Sequence, residues 1–300
     1  MENFVITITF LLIGMTLKRI PDFPHETGNV LNLFVIYISL PSLVLLKIPA
    51  LVFSKNLLVP AFMPWGMLLF SCALILVLSK IFKWERATTG CLLLLIPLGN
   101  TSFLGIPMVK AFFGDQAIPF ALLYDQLGSF LALATYGSLI LAVYGTGESK
   151  PTIKNVVKKI VLFPPFIALM CAFILRAFPY PPIAVNLLKI LASTLVPLVM
   201  IAVGFQLTLQ LDRKVISQLS IGLSIKLIVA PLTALLFCKL AGLEGKAVQT
   251  SIFEAGMPPM VSAGALAILA NLSPALTAAL VGMGIVLSFA TLPILYQILL

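Results

Sequence analysis

The sequence predicts an all-α membrane protein of ten transmembrane helices, built as two inverted five-helix repeats in which the fourth and ninth helices are broken and cross. Three observations lead to this fold class. Hydrophobic residues make up 61% of the chain and charged residues only 10%, apolar runs of membrane length follow one another, and two of these runs carry Pro and Gly near their centres. With so little polar surface and a mean hydropathy of +1.15, the chain is built for lipid.

The net charge of +9 does not indicate nucleic-acid binding. Lys and Arg lie at the ends of apolar runs rather than along one helical face, as membrane topology requires. They concentrate in the loops that follow the odd-numbered spans, and loops rich in Lys and Arg face the cytoplasm. This predicts a multi-pass protein of the cell (inner) membrane with both termini on the non-cytoplasmic side. The N-terminal apolar run precedes Lys18 and Arg19, so we interpret it as a retained first span and not as a cleaved signal peptide.

The span count follows from the ~30 Å hydrocarbon layer, which needs about 20 apolar residues per helix. Charged and Pro/Gly-rich joints divide the chain into the following candidate spans: 3–17, 28–53, 56–79, 87–113, 117–144, 163–178, 183–209, 215–239, 246–270 and 274–299.

The one sustained polar joint, "GTGESKPTIKNVVKK", lies at the middle of the chain. It separates a first repeat (1–145) from a second (163–300), with a cytoplasmic linker at 146–162. Because five is odd, the second repeat enters the membrane from the opposite side, as in many secondary transporters. Lys154 and Lys158 lie four residues apart with valines facing elsewhere, which fits either an interfacial helix on an anionic leaflet or a plain solvated linker.

Two spans are predicted to be discontinuous, "LLLLIPLGNTSFLGIPMVKAFF" (92–113) and "SIFEAGMPPMVSAGALAILA" (251–270). Their prolines remove N–H donors and their glycines permit non-helical backbone. Unwound backbone survives at membrane depth only where protein or a wet cavity satisfies it, so we expect the two breaks to meet. N–H and carbonyl ends of half-helices would then converge on one small volume. Two kinks that serve packing alone are the simpler alternative.

At these residues the chain resembles the auxin efflux carrier family, the PIN-like transporters whose bacterial members are permeases for small organic acids. The similarity lies in the following segments: "GNTSFLGIP" (99–107), "MPPMVSAGALA" (257–267), "LPILYQILL" (292–300), "FPPFIALM" (163–170) and "PLVMIAVGFQL" (197–207). A more distant likeness links "EAGM" (254–257) to a sodium-binding segment of bile-acid sodium symporters.

The resemblance implies a scaffold domain of helices 1, 2, 6 and 7 and a transport domain of helices 3–5 and 8–10, which moves against the scaffold like an elevator. It makes Asn100 a substrate contact and permits a homodimer through the scaffold domain. The sequence departs from the plant exporters in having Gly99 in place of a crossover proline and in lacking a long central loop. A small organic acid therefore fits better than auxin.

The expected substrate site lies where the two breaks meet: Gly99, Asn100, Thr101, Pro258 and Pro259. Three charged residues within the spans are expected to couple transport to H⁺ or Na⁺, since burying one unpaired charge costs at least ~3 kcal/mol. They are Asp125 with nearby Ser129, Lys226 and Glu254.

Glu254 is one helical turn before Pro258, so its carboxyl group can reach the break and carry a proton or bind Na⁺ together with Asn100 and Thr101. The structural alternative is permanent pairing with Lys226. Asp125 and Ser129 fit either an ion path or a hydrogen-bonded core cluster. Lys226 argues against sodium because a fixed ammonium would neutralise the carbonyl ends that a metal ion would otherwise meet.

Other functional classes find less support in the sequence. His25 is the sole histidine, which excludes an HExxH zinc enzyme. No Walker A lysine loop is present, which argues against ATP-driven pumping by this chain alone. We expect no enzymatic activity, no resident cofactor and no nucleic-acid partner. A sensor or scaffold that keeps the transporter fold without transporting, and an uncoupled uniporter, both remain open.

Overall fold

The computed structural model describes residues 2–51, 57–146, 152–208, 212 and 215–300. Within these ranges the regular structure is helical, and extended pairing is limited to a single bridge between Gly99 and Pro259. The α-helices are α1 Glu2–Leu17, α2 Thr27–Phe34, α3 Leu40–Lys47, α4 Leu58–Phe82, α5 Arg86–Leu95, α6 Ile106–Phe113, α7 Ile118–Leu123, α8 Ser138–Tyr144, α9 Ile153–Val161, α10 Pro164–Leu175, α11 Pro182–Ser193, α12 Leu195–Gln206, α13 Ile216–Ser224, α14 Ala230–Leu240, α15 Lys246–Ala255, α16 Val261–Leu269 and α17 Pro274–Leu299.

Several of these helices run on into one another as membrane-length apolar stretches. Among the described residues 6 stretches are long and apolar enough to span a bilayer, or up to 7 with the bent pair α9 and α10. They are Thr27–Lys47, Leu58–Phe82, Ile118–Tyr144, Pro182–Gln206, Ile216–Leu240 and Pro274–Leu299. The expectation of an all-helical, multi-pass membrane protein is confirmed. The ten-helix inverted repeat stays a prediction.

The difference between six or seven spans and ten has a physical cause. α1, α5 and the stretch Thr101–Phe113 are apolar but short, and the predicted spans at 87–113 and 246–270 are each divided by an interruption. The second predicted span also ends early, since its helix stops at Lys47 instead of residue 53, shortly before Pro49. Its residues 52 and 53 lie outside the described ranges.

The described residues contain five π-helical turns: Val35–Ser39, Thr101–Gly105, Tyr124–Phe130, Leu133–Gly137 and Ile225–Val229. Four of them interrupt the long stretches, and Thr101–Gly105 precedes the short helix α6. Three of the five turns lie directly before an α-helix whose second residue is proline, namely Pro41, Pro107 and Pro231. A proline lacks an N–H and its ring presses on the carbonyl four residues earlier, so the preceding turn widens. Such turns are frequent at functional sites.

The chain divides into two compact units. The first unit comprises residues 1–55, 102–122 and 157–207. Within it α1 packs closely on α12 through a reciprocal pair of glycines, because a Cβ on Gly14 would collide with the Ile201 carbonyl and a Cβ on Gly204 with the Leu11 carbonyl. Small residues at such positions let helix backbones approach in membranes.

Several of the polar contacts that link helices in the first unit join neutral side chains. Asn32 donates a hydrogen bond to Gln206 over 3.1 Å, and Gln206 donates to Asn29 over 2.9 Å. Hydroxyls of Ser39 and Thr194 are 2.7 Å apart. The ammonium group of Lys18 donates to the Leu207 carbonyl just past the end of α12, where helix carbonyls lack partners within the helix.

The second unit comprises residues 56–101, 123–156 and 208–300. Its core surrounds α5, whose run Leu92–Leu95 is almost completely buried. Leucines of α13 and α17 pack against this run, together with small residues of α16, in the cluster Leu219, Leu223, Ala263, Ala267, Leu276 and Leu280. A helix that is apolar on every side fits only a buried position, and this burial fixes where the chain emerges after Leu95.

Candidate functional site

The two interrupted segments of the second unit pair with each other through their backbones. α5 ends at Leu95 and helical structure resumes at Thr101, while α15 ends at Ala255 and α16 begins at Val261. The Asn100 N–H donates to the Pro258 carbonyl over 2.8 Å, and the Met260 N–H donates to the Leu98 carbonyl over 3.0 Å. Each break thus supplies the hydrogen bonds that the other lacks, as buried backbone requires.

This pairing changes which groups are available to a ligand. We expected the N–H and carbonyl ends at the two breaks to converge on one small volume. The N–H of Asn100 and the carbonyls of Leu98 and Pro258 belong to these ends, and they already hydrogen-bond across the two breaks. The side-chain amide Nδ2 of Asn100 is buried and has no hydrogen-bond partner among the described residues. Since an unmade buried hydrogen bond costs free energy, this amide is a donor whose bonding capacity is unused within the described part of the chain.

Lys226 reaches the first break from the π-helical turn Ile225–Val229. Its side chain is buried, and its ammonium group lies 3.4 Å from the carbonyl oxygen of Ala255, the last residue of α15. Carbonyls at a helix C-terminus carry partial negative charge and attract a cation. A Cβ on Gly99 would lie 3.2 Å from Nζ, so the absence of a side chain at Gly99 leaves room for the ammonium group.

Glu254 is the most isolated ionisable group of the site. It is 0% exposed, and neither carboxylate oxygen has a hydrogen-bond partner within the described part of the chain. The pairing with Lys226 that the sequence left open does not form as a direct ion pair between these two described residues. Lys226 and Asp125 nevertheless lie close enough to interact with Glu254 electrostatically.

Asp125 accepts hydrogen bonds from Thr101 and Gln126. The Thr101 hydroxyl donates to Oδ1 over 2.6 Å, and the Gln126 amide donates to Oδ2 over 2.7 Å. The first of these bonds ties the end of the first break to the π-helical turn Tyr124–Phe130. Thr101, which we expected beside Glu254 in an Na⁺ site, therefore has its hydroxyl turned towards Asp125.

A small cavity in the second unit brings together four of the predicted site residues: Gly99, Ser129, Lys226 and Glu254. Its volume of about 10 Å³ is at the lower limit for one water molecule. The cavity is therefore the size of a water or a small ion, and an organic acid does not fit in it as it stands. Within the described residues no group of three His, Cys, Asp or Glu side chains could hold a metal ion.

All the predicted site residues lie in the second unit and all are buried. Backbone pairing brings Gly99 and Asn100 to Pro258 and Pro259. The cavity is lined by Gly99 together with Ser129, Lys226 and Glu254. Thr101 and Asp125 form a separate hydrogen-bonded pair.

Sequence reasoning missed the contribution of α4 and of Tyr124 to this cavity. One face of α4 lines it, through residues spaced three and four apart: Pro64, Met67, Leu68 and Ser71. A proline inside a helix with a serine two turns later on the same face was the available signal. Tyr124 directly precedes Asp125 and gave no separate signal.

Comparison with known proteins identifies the family. Residues 1–296 match the profile of a family described as "Membrane transport protein". The chain is 30% identical over 269 residues to an uncharacterized transporter of Methanocaldococcus jannaschii, covering 86% of this chain and 85% of that one. It is 27% identical over 304 residues to an uncharacterized transporter of Methanothermobacter thermautotrophicus, covering 98% and 96%. The chain thus belongs to the auxin efflux carrier family of membrane transport proteins, and it is a multi-pass membrane transporter and not an enzyme.

Proposed function

We propose that the protein is a secondary active transporter of a small organic anion, a mono- or dicarboxylate. The single observation that carries this proposal is Glu254, a fully buried carboxyl group beside two backbone-paired breaks, with neither oxygen hydrogen-bonded to any described residue. An ionised group in that position is costly unless it is neutralised during the working cycle. A coupling cation that arrives and leaves provides that neutralisation.

The anion is recognised by donors near the breaks. Lys226 supplies a positive charge next to Gly99, and the Asn100 amide supplies an N–H donor that no described residue uses. Charge-assisted hydrogen bonds to a carboxylate are among the stronger ones in proteins. Because the cavity is only water-sized, the substrate binds in a conformation in which this region opens.

The coupling ion is a proton in our proposal, with Glu254 as its carrier. The Lys226 ammonium lies against the Ala255 carbonyl, where an Na⁺ ion would otherwise find an oxygen ligand, and two cations do not share such a site. Sodium bound by Glu254, Asn100 and Thr101 is the competing proposal. It requires the Thr101 hydroxyl oxygen to bind the metal ion while the hydroxyl hydrogen remains hydrogen-bonded to Asp125.

For the mechanism we propose alternating access by an elevator movement in a ten-helix, inverted-repeat fold, with the two broken helices crossing. The division into two compact units supports this proposal. The first unit contains the segments expected as helices 1, 2, 6 and 7, together with residues 102–122, and every predicted site residue lies in the second. Residence in the cell inner membrane, termini outside the cytoplasm and a homodimer through the scaffold belong to the same proposal.

Uptake into proteoliposomes tests the function. Purified protein is reconstituted at fixed membrane potential, and uptake of radiolabelled mono- and dicarboxylates is measured with an inward proton gradient, an inward Na⁺ gradient or neither. We expect the proton gradient to drive accumulation. Accumulation driven by Na⁺ alone would select the sodium proposal, and equilibration without accumulation would identify a uniporter. No flux of any acid would identify a sensor.

The role of Glu254 is tested by Glu254→Gln, which keeps the shape and removes the charge. We expect this variant to lose proton-driven accumulation while it still exchanges substrate across the membrane. Glu85→Gln, an exposed residue of the same type, serves as the matched control and should accumulate normally. Full accumulation by the Glu254 variant with unchanged ion dependence would remove the coupling role.

A further inference from the structure

Helix α9, which follows the middle of the chain, presents an apolar stripe that its own protein leaves uncovered. No residue of α9 is buried. Ile153, Val157 and Val161 are spaced four residues apart and are 83%, 51% and 56% exposed. Residues at this spacing lie on one face of a helix, and the partly buried Val156 and Ile160 widen the same face.

The opposite face of α9 is basic. Lys154, Lys158 and Lys159 are exposed, and the helix contains no acidic residue. A short helix with valines and isoleucines on one side and lysines on the other is typical of segments that lie in a membrane interface. Its charge complements an anionic surface.

The position of α9 puts such a surface within reach. Only Leu162 and Phe163 separate α9 from the apolar helix α10, and the two helices meet at an angle of 61°. If α10 crosses the bilayer, α9 is inclined closer to the membrane plane than to the membrane normal. Both connecting residues are apolar, which favours a position at the hydrocarbon boundary for the C-terminal end of α9.

We propose that α9 is an interfacial helix that binds anionic phospholipid, with its apolar stripe in the acyl region and its three lysines on the headgroups. Each lysine near an anionic surface strengthens binding roughly five-fold. The three together give a roughly hundred-fold preference for anionic over neutral lipid. This surface is distinct from the substrate site and does not depend on what the protein transports.

Hydrogen exchange of the full-length protein in nanodiscs tests the proposal. One set of nanodiscs contains phosphatidylcholine only, and the other contains phosphatidylcholine with about one-third phosphatidylglycerol, a composition rich enough in charge to engage polybasic segments. We expect the amides of residues 153–161 to exchange more slowly in the anionic nanodiscs, by a factor of at least about ten. Exchange in α17 should be the same in both.

A charge-neutral triple variant and a matched control separate lipid binding from general electrostatics. Lys154→Gln, Lys158→Gln and Lys159→Gln together should remove the difference between the two lipids. The control variant replaces three exposed lysines elsewhere by glutamine, Lys80, Lys189 and Lys239. It should keep the difference in exchange of residues 153–161 between the two lipid compositions. α9 is exposed, so neither variant threatens folding.

Other outcomes would overturn the proposal. Equal protection of 153–161 in both nanodiscs would remove the preference for anionic lipid, and fast exchange in both would make α9 a solvated linker. Protection that grows with protein concentration in detergent and persists in the triple glutamine variant would identify a second copy of the chain as the occupant. Transport is not measured here, so these results stand apart from the proposed function.

Discussion

In the first unit the buried polar side chains are hydroxyls, Thr7, Ser39 and Ser42, whereas the buried set of the second unit includes Asp125, Lys226 and Glu254. Among the described residues of the first unit every charged side chain keeps contact with solvent or lipid. Burying charge weakens a fold unless each charge is well paired, which agrees with the role in transport that we propose for these charges. The comparison separates a unit built for close helix packing from one built around ionisable groups.

Gly204→Val should produce the largest change, and it should act on the first unit alone. The new side chain would collide with the Leu11 carbonyl across the α1–α12 contact. Overpacking of this kind lowers the free energy of unfolding by about 3 kcal/mol. Thermal unfolding in detergent measures the loss.

Gly66→Ala is the matched control for this substitution. Gly66 lies inside α4, and a Cβ there would meet no atom within 4 Å. Removing a mid-helix glycine should raise stability by up to about 1 kcal/mol. A Gly204→Val protein as stable as the wild type would mean that close helix packing does not hold the first unit together.

Thr101→Val should have the next largest effect, now in the second unit. It removes the 2.6 Å hydrogen bond to Asp125 and leaves that buried carboxyl group one donor short. Hydrogen bonds to charged groups contribute about 1.5–3 kcal/mol, and the same unfolding measurement should register this loss. Thr101→Ser keeps the hydroxyl and should restore most of the stability. Equal stability of the Val and Ser variants would contradict the assigned role of the hydroxyl.

Glu254→Gln should move stability in the opposite direction. The substitution replaces a buried carboxyl group, which has no hydrogen bond to the part of the chain that the structure describes, by a neutral amide that costs less to bury. We expect stability to rise by about 1 kcal/mol while proton-driven accumulation is lost. A destabilised variant would mean that Glu254 serves the fold, and the contrast between the two units would then disappear.

Lys47→Gln should have the smallest effect. Its ammonium group pairs with Asp115 over 3.0 Å in the first unit, but the Asp115 side chain is 58% exposed. Surface pairs of this kind contribute about 0.2–1 kcal/mol and weaken further in salt. The unfolding temperature should therefore change little at low salt and not at all in 1 M NaCl. A larger loss would show that the first unit also relies on charge.

The sequence was informative where backbone chemistry is local. Proline and glycine at 97 and 99, and again at 256, 258 and 259, predict interruptions because their effect on a helix needs no neighbour. Charges inside apolar runs predict Asp125, Lys226 and Glu254 as candidates for the same reason.

What the sequence could not supply depends on contacts between distant segments. No periodicity states that Asn100 bonds to Pro258, that Thr101 turns to Asp125, or that Lys226 meets Ala255 instead of Glu254. The π-helical turns were also missed, since the pattern of apolar residues around them has the ordinary helical period. For three of the five turns, a proline two residues after the end of the turn was the overlooked sign.

The backbone pairing of the two breaks has a consequence for how such transporters diverge. Both hydrogen bonds join main-chain atoms, Asn100 to Pro258 and Met260 to Leu98, so they do not depend on which side chains occupy these positions. Only proline at 100 or 260 would remove one, because proline has no N–H. In the proposed substrate site, substitutions at these positions change the contacts offered to the substrate but leave the backbone junction intact. Substrate preference in the proposed transporter can therefore change through single substitutions while the backbone of the site stays the same.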